Sequence, residues 1–308
     1  MLSVALILTL PCCALPATAA TGVNADEVAW WVWPLALFVV CFLLGIVAVP
    51  AGVGGGVLFV PIVSGFFPFH LDFVRGAGLL VALASAISAG PHLLRGGLAD
   101  LRLALPLALS ASIGSIVGAL VGLALPADMM QIALGITILG IVALMALTGN
   151  REYPRVERAD GIWSALAIGG VFHDPARGAD LEWGVQWIPA GFAAFAFNGL
   201  LGGMFGVGAG WANVPTLNLL MGAPLKIAVG TSSIILSIAS SSAIWTYANA
   251  GAVLPIIAAP AVIGMMLGAR IGARLLAILR AATIRRLVIA LLLFAGLRSI
   301  AKGCGIWT

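Results

Sequence analysis

The stretch Gly52-Val-Gly-Gly-Gly56 returns 154 positions later as Gly206-Val-Gly-Ala-Gly210, and each copy is followed by Val-Pro, at Val60-Pro61 and Val214-Pro215. The same offset carries Gly97 to Gly251, Pro106 to Pro260, Gly114 to Gly268 and Gly118 to Gly272. Glycine is common in this chain, so one short match would carry little weight. A register held from residue 52 to residue 118 identifies an internal duplication. In duplicated membrane proteins, apolar segments interrupted at matching places in the two halves mark where a ligand site is built.

The membrane assignment rests on composition. Of 308 residues, 62% are hydrophobic and 8% are charged, where soluble domains carry about 25% charge. A water-soluble fold is excluded, and an all-α polytopic membrane protein is expected. The bases lie in loops and at segment ends, which fits membrane topology and gives nucleic acid no binding stripe. Cys12, Cys13, Cys41 and Cys304 have no CxxC spacing and no histidine nearby, so neither a structural metal nor a disulfide is expected.

Residues 1–20 form an apolar stretch broken by Pro11 and Pro16 and ending in Ala17-Thr-Ala-Ala20. Two readings fit, a cleaved secretory signal or an extra N-terminal helix. Both leave Asp26 and Glu27 outside the cytoplasm.

Apolar runs occupy roughly 30–50, 53–67, 76–94, 103–125 and 129–148, then 187–205, 208–221, 227–248, 253–276 and 286–302. Treating 30–67 and 187–221 as single helices leaves the bases evenly divided between the two faces. Splitting each into two segments places twelve of the fifteen bases inside, with Arg75, Arg298 and Lys302 outside. The positive-inside rule selects the split. It predicts two inverted repeats of about five segments each, over 28–148 and 187–302, joined by a cytoplasmic linker at 149–186.

The second segment of each repeat is short. At ~1.5 Å per residue, 53–67 and 208–221 span only about 21–22 Å, against a hydrocarbon core of ~30 Å. Re-entrant hairpins or broken helices with the glycines near their tips are therefore expected. The linker's apolar island, Gly161–Phe172, is too short to span and reads either as an amphipathic surface piece or as a plain tether.

Glycine permits positive φ and close backbone approach, and irregular backbone inside a bilayer survives only where protein buries it or a cavity adjoins it. Helix starts at such breaks offer free amides and a positive dipole end to an anion. Gly54, Gly55, Gly56, Gly208, Ala209 and Gly210 are the candidate backbone donors, the competing reading being close helix packing through small residues. Asn213, Thr231 and Ser232 are candidate side-chain donors. Their first-half counterparts are read as Phe59 and, in the stretch Gly78-Leu79-Leu80, Leu79 and Leu80, which carry no hydroxyl or amide, so a polar site should lean toward the second half. His92 and Arg95 are candidates for a proton or anion relay, with an ordinary interfacial histidine as the alternative. No catalytic constellation and no cofactor fingerprint is present: Gly52–Gly56 lacks the GxGxxG spacing and any strand periodicity.

Gly-Val-Gly-Gly-Gly with Pro61, its copy with Pro215, Ala228-Val-Gly-Thr-Ser232 and His92-Leu-Leu-Arg-Gly-Gly-Leu-Ala-Asp100 resemble the signature of the sulfite exporter TauE/SafE family. So do the Gly114/Gly118 and Gly268/Gly272 pairs, and the likeness spans roughly 34–302. The resemblance implies a transporter, not an enzyme, working in a bacterial-type inner membrane on a sulfur oxyanion or organosulfonate. Its partners would be that small anion and the lipid bilayer, with self-association left open and no cofactor. A passive anion channel, or a sensor or assembly subunit acting through the linker, are the competing functions.

Overall fold

The structure, a computed structural model, describes residues 31–48, 54–95, 97–147, 169–174, 179–275 and 281–303. Ten α-helices lie among them: α1 Val32–Ala48, α2 Gly55–Phe66, α3 Leu71–Arg95, α4 Leu101–Ala124, α5 Ala127–Leu147, α6 Ile188–Phe205, α7 Gly210–Pro215, α8 Leu225–Asn249, α9 Pro255–Leu275 and α10 Ala281–Gly303. Six are long and apolar enough to cross a membrane. The protein is a multi-pass membrane protein.

Helix α4 shows how such a helix is oriented. Its bulky Leu109 and Ile113 are 66% and 60% exposed, while Ala108 and Ala111 are buried. Apart from the buried Leu103 and Leu107, its large apolar groups look mostly outward and its small ones inward, the reverse of a soluble helix. In lipid, association comes from close packing, so small residues belong at the helix contacts.

The glycines make those contacts, and they make them twice. A Cβ on Gly114 would strike the carbonyl of Ala196, and one on Gly268 would strike that of Phe42. Gly199 faces the Ala111 carbonyl and Gly45 faces that of Met265; Gly76 faces Ala252 and Gly230 faces Leu98. Each second contact is the first moved by the 154-residue offset. The halves α1–α5 and α6–α10 are therefore related by a pseudo-twofold axis. They interlock: α4 runs parallel to α6 and α1 to α9, while α3 packs on α8 and α5 on α10.

Both short second segments double back. Trp33, at the start of α1, has its ring 5.7 Å from Phe67 and 6.1 Å from Phe69, just past the end of α2. At the equivalent place in the second half, the Gln186 amide donates to the Met221 carbonyl at 3.0 Å. With 12 residues α2 extends about 18 Å, too little to cross ~30 Å of hydrocarbon. Pro215 ends α7, and a π-helical turn at Thr216–Leu220 completes the second return. Proline has no N–H to give the ladder, which favours that wider turn. Each hairpin returns to its own face and three crossings follow, so the second repeat starts from the opposite side. The repeats are inverted.

The linker corrects one expectation. Strand β1 (Gly169–Asp174) pairs antiparallel with β2 (Ala179–Gly184), with Val171 opposite Glu182. The end of the supposed amphipathic island is thus strand. Residues 1–30, which include the signal-like segment, and 161–168 lie outside the described residues.

Candidate functional site

The two glycine motifs meet. A Cβ on Gly210 would lie 3.9 Å from the Cα of Gly54, one on Gly56 would lie 2.5 Å from the Val207 carbonyl oxygen, and one on Gly78 2.5 Å from that of Gly206. Points exchanged by a twofold axis can touch only near that axis. Since the repeats are inverted, the axis lies in the membrane plane, and the motifs meet deep in the protein. Gly206 and Gly208 have φ of +70° and Gly54 of +42°, conformations open to glycine and costly for L side chains.

Helix α8 closes over this crossing. Leu236 contacts the space beside Gly54, Gly208 and Gly210, and Ser240, one turn on, lies 3.8 Å from a Cβ position at Gly208. Together with Leu79, Ser115, Gly199, Gly202, Gly203, Ala209 and Ala239, Gly208 and Ser240 line a small cavity of about 10 Å³, room for one water-sized sphere. The Ser240 hydroxyl is buried without a hydrogen-bond partner. Ser115 is engaged, its hydroxyl donating to the Ala239 carbonyl at 2.8 Å. A buried hydroxyl with no partner forfeits its hydration, so this one is a donor awaiting an acceptor.

Asn213 is fully buried on α7. Its Oδ1 accepts from Asn198 Nδ2 at 3.5 Å, and Asn198 also donates to Thr216 Oγ1 at 3.1 Å. The Asn213 Nδ2 has no partner. The sequence-level lean toward the second half is visible here, because Asn198, Asn213 and Thr216 correspond to Leu44, Phe59 and Ile62.

Other candidates stand elsewhere. Thr231 was expected at a helix start, but α8 begins at Leu225, and Gly230 lies inside it to admit the Leu98 carbonyl. The Thr231 hydroxyl accepts the Asp100 amide at 3.2 Å, while the Asp100 carboxylate caps α4 by accepting from the Arg102 and Leu103 amides. Thr231 thus ties α8 to the α3–α4 loop and not to the glycines. Ser232 is buried on the same stripe of α8 as Leu236 and Ser240, two turns short of the cavity. Gly55, expected to offer a free amide, donates to Ser85 Oγ at 3.3 Å. The side chains of His92 and Arg95 lie outside the described ones.

Two residues escaped the sequence reading. Ser240 was passed over among the hydroxyls of α8, although its spacing of eight from Ser232 would have placed it on one face. Arg75 was read as a loop base; it lies in α3 and is 1% exposed.

The family model described as sulfite exporter TauE/SafE matches residues 37–299. The chain is 26% identical over 277 residues, 86% of its own length and 98% of the relative's, to the probable membrane transporter protein YunE of Bacillus subtilis (strain 168). No solved structure matches. With the inverted repeats, paired glycine hairpins and family match together, the chain belongs to the sulfite exporter TauE/SafE family of membrane transporters.

Proposed function

We propose that this transporter moves a small sulfur oxyanion or organosulfonate, such as sulfite, thiosulfate or sulfoacetate, across a bacterial-type inner membrane, with its N-terminus outside. The observation that carries the reading is the buried, unpartnered Ser240 hydroxyl beside a small cavity against Gly208 and Ala209. No Asp or Glu lines that cavity. A donor without an acceptor, beside backbone that glycine keeps approachable, suits a desolvated oxyanion. The description of the matched family points to the same class.

In this reading the amides of Ala209 and Gly210 and the Ser240 hydroxyl face the anion, and Asn213 Nδ2 offers a further donor from α7; the Gly208 amide, expected to be free, donates to the Gly202 carbonyl at 3.3 Å and serves the turn instead. Gly54, Gly55 and Gly56 form the opposing wall. Ser232 lies toward the other face, where His92 and Arg95 would meet the anion. The chain carries no nucleotide-binding motif, so a gradient drives the cycle. Rocking of two inverted repeats about a fixed central site provides alternating access.

The test is uptake of radiolabelled sulfite, thiosulfate, sulfoacetate and taurine into proteoliposomes. Saturable uptake of at least one, weakened by Ser240→Ala, is expected. Failure of all four, or unchanged KM in a folded Ser240→Ala protein, would remove the substrate class or the site respectively.

A further inference from the structure

Arg75 is a guanidinium in the wrong place for a surface charge. It is 1% exposed, within the second turn of α3. One terminal nitrogen, Nη1, donates to the carbonyls of Gly122 at 2.9 Å and Met204 at 3.1 Å, in the last turns of α4 and α6. The Tyr247 hydroxyl, from α8, reaches the same Met204 carbonyl at 3.2 Å, and its ring centroid lies 6.0 Å from the guanidinium carbon. The other terminal nitrogen, Nη2, donates to the Asp72 carboxylate. The Arg75 backbone itself packs on Gly206, where the second glycine motif begins.

The donor count exposes the unusual part. Arginine presents five N–H groups in a fixed fork, and the edge made by Nε and Nη2 is one that grips a carboxylate or other planar oxyanion through two parallel bonds. Here Asp72 holds Nη2 alone, and the buried Nε has no partner. The carboxylate is 29% exposed and stands 3.4 Å from His70, itself 57% exposed. A polar route from solvent therefore ends on a half-used oxyanion fork that holds the carbonyl of Met204, two residues before the motif that α6 delivers. The symmetry-related positions are Lys226 and Val229, so only one mouth is built this way.

We propose that Arg75 and Asp72 form the gate at the α2–α3 mouth: an arriving oxyanion takes the Nε–Nη2 edge from Asp72, loosening the clamp on Met204 and opening the way to Gly206–Gly210. The proposal rests on the anion-transport reading above. Asp72 acts as a tethered competitor, holding the fork while no anion is present. Charge exchange of this sort moves an equilibrium only as far as the two states differ in affinity.

The experiment uses full-length protein in intact cells, with the four native cysteines replaced and Val207→Cys added. Val207 is 2% exposed and adjoins Gly206. A membrane-impermeant thiol reagent, without any transport substrate, should label it slowly in the parent and about 10-fold faster with Asp72→Asn, as the closed state loses its ion pair. In proteoliposomes, Asp72→Asn should lower the KM for radiolabelled sulfite several-fold, and Arg75→Lys, which keeps the charge and loses the fork, should raise it about 10-fold. If Asp72→Asn lowers only the Tm, with labelling and KM unchanged, the pair is a structural clamp and the gate is wrong. If the parent moves no sulfite, the substrate reading fails, and the labelling rates alone decide the gate.

Discussion

The hairpins α1–α2 and α6–α7 share one backbone plan and differ in what fills it. Beside the first glycine motif, Met265 occupies the space: a Cβ on Gly55 would lie 2.7 Å from its sulfur. Ser85 takes the Gly55 amide. The symmetry-related residues at the second motif are Ala111 and Ala239. Position 111 carries alanine where 265 carries methionine, and Ser240 stands where the first half has the apolar Ala86. Duplication thus supplies two equivalent frames, and side-chain volume decides that one is a plug and the other a cavity. The comparison also explains why a symmetric scaffold can hold one polar site.

The most damaging way to break this asymmetry is Gly208→Val. The position has φ +70° and a Cβ there would lie 2.9 Å from Leu236 and 3.1 Å from Ala82. A branched residue is strained whatever the space, and sulfite uptake should fall by at least about 100-fold. Immunoblotting of membranes alongside uptake separates loss of transport from loss of protein.

Exchanging the plugs is the sharper test. Ala111→Met should close the second cavity and raise the KM for sulfite by about 10-fold or more. Met265→Ala should destabilise by about 2–5 kcal/mol, with the KM unchanged. Thermal-shift measurements in detergent and proteoliposome uptake would see opposite responses from the pair. Equal effects on KM would mean that both motifs bind the anion.

A smaller change is expected from Ser240→Ala. Removal of one buried donor costs about 1–3 kcal/mol of binding, roughly a 5- to 150-fold rise in KM at ~1.4 kcal/mol per decade. The symmetric swap Ala86→Ser should leave the KM within about twofold, because Met265 keeps that side filled.

Thr231→Val should do least. Its hydroxyl accepts only the Asp100 amide among the hydrogen bonds described, so a stability loss of about 1 kcal/mol with a near-normal KM is expected. A KM shift comparable to that of Ser240→Ala would return Thr231 to the substrate path.

Segment positions were legible in the sequence because hydrophobic runs and the 154-residue register are local quantities. The run 103–125, for instance, became α4 at 101–124. The start of α3 was not: Arg75 looked like a loop base, because its burial depends on Gly122, Met204 and Tyr247, which only the fold brings together. Hairpins and full crossings give the same charge parity, so positive-inside arithmetic could not separate them. Trp33 against Phe67 does. The choice between Thr231 and Ser240 depends on the height at which α8 meets the glycines, a tertiary quantity absent from residue spacing. The 169–184 strand pair was hidden because its short apolar run lies in an otherwise charged linker.

The pairing of α1 with α9 has a consequence for the ribosome. Roughly 200 residues separate Ala48 from Pro255, and at about 5–20 residues per second α1 waits ~10–40 s for its mate. Until then Gly45 and the Phe38 and Phe42 carbonyls lack the neighbour they are shaped for. Helix α4 meets α6 much sooner. Lesions at Gly264 or Gly268 would therefore surface as nascent protein removed by membrane proteases, and low abundance would precede any defect in turnover.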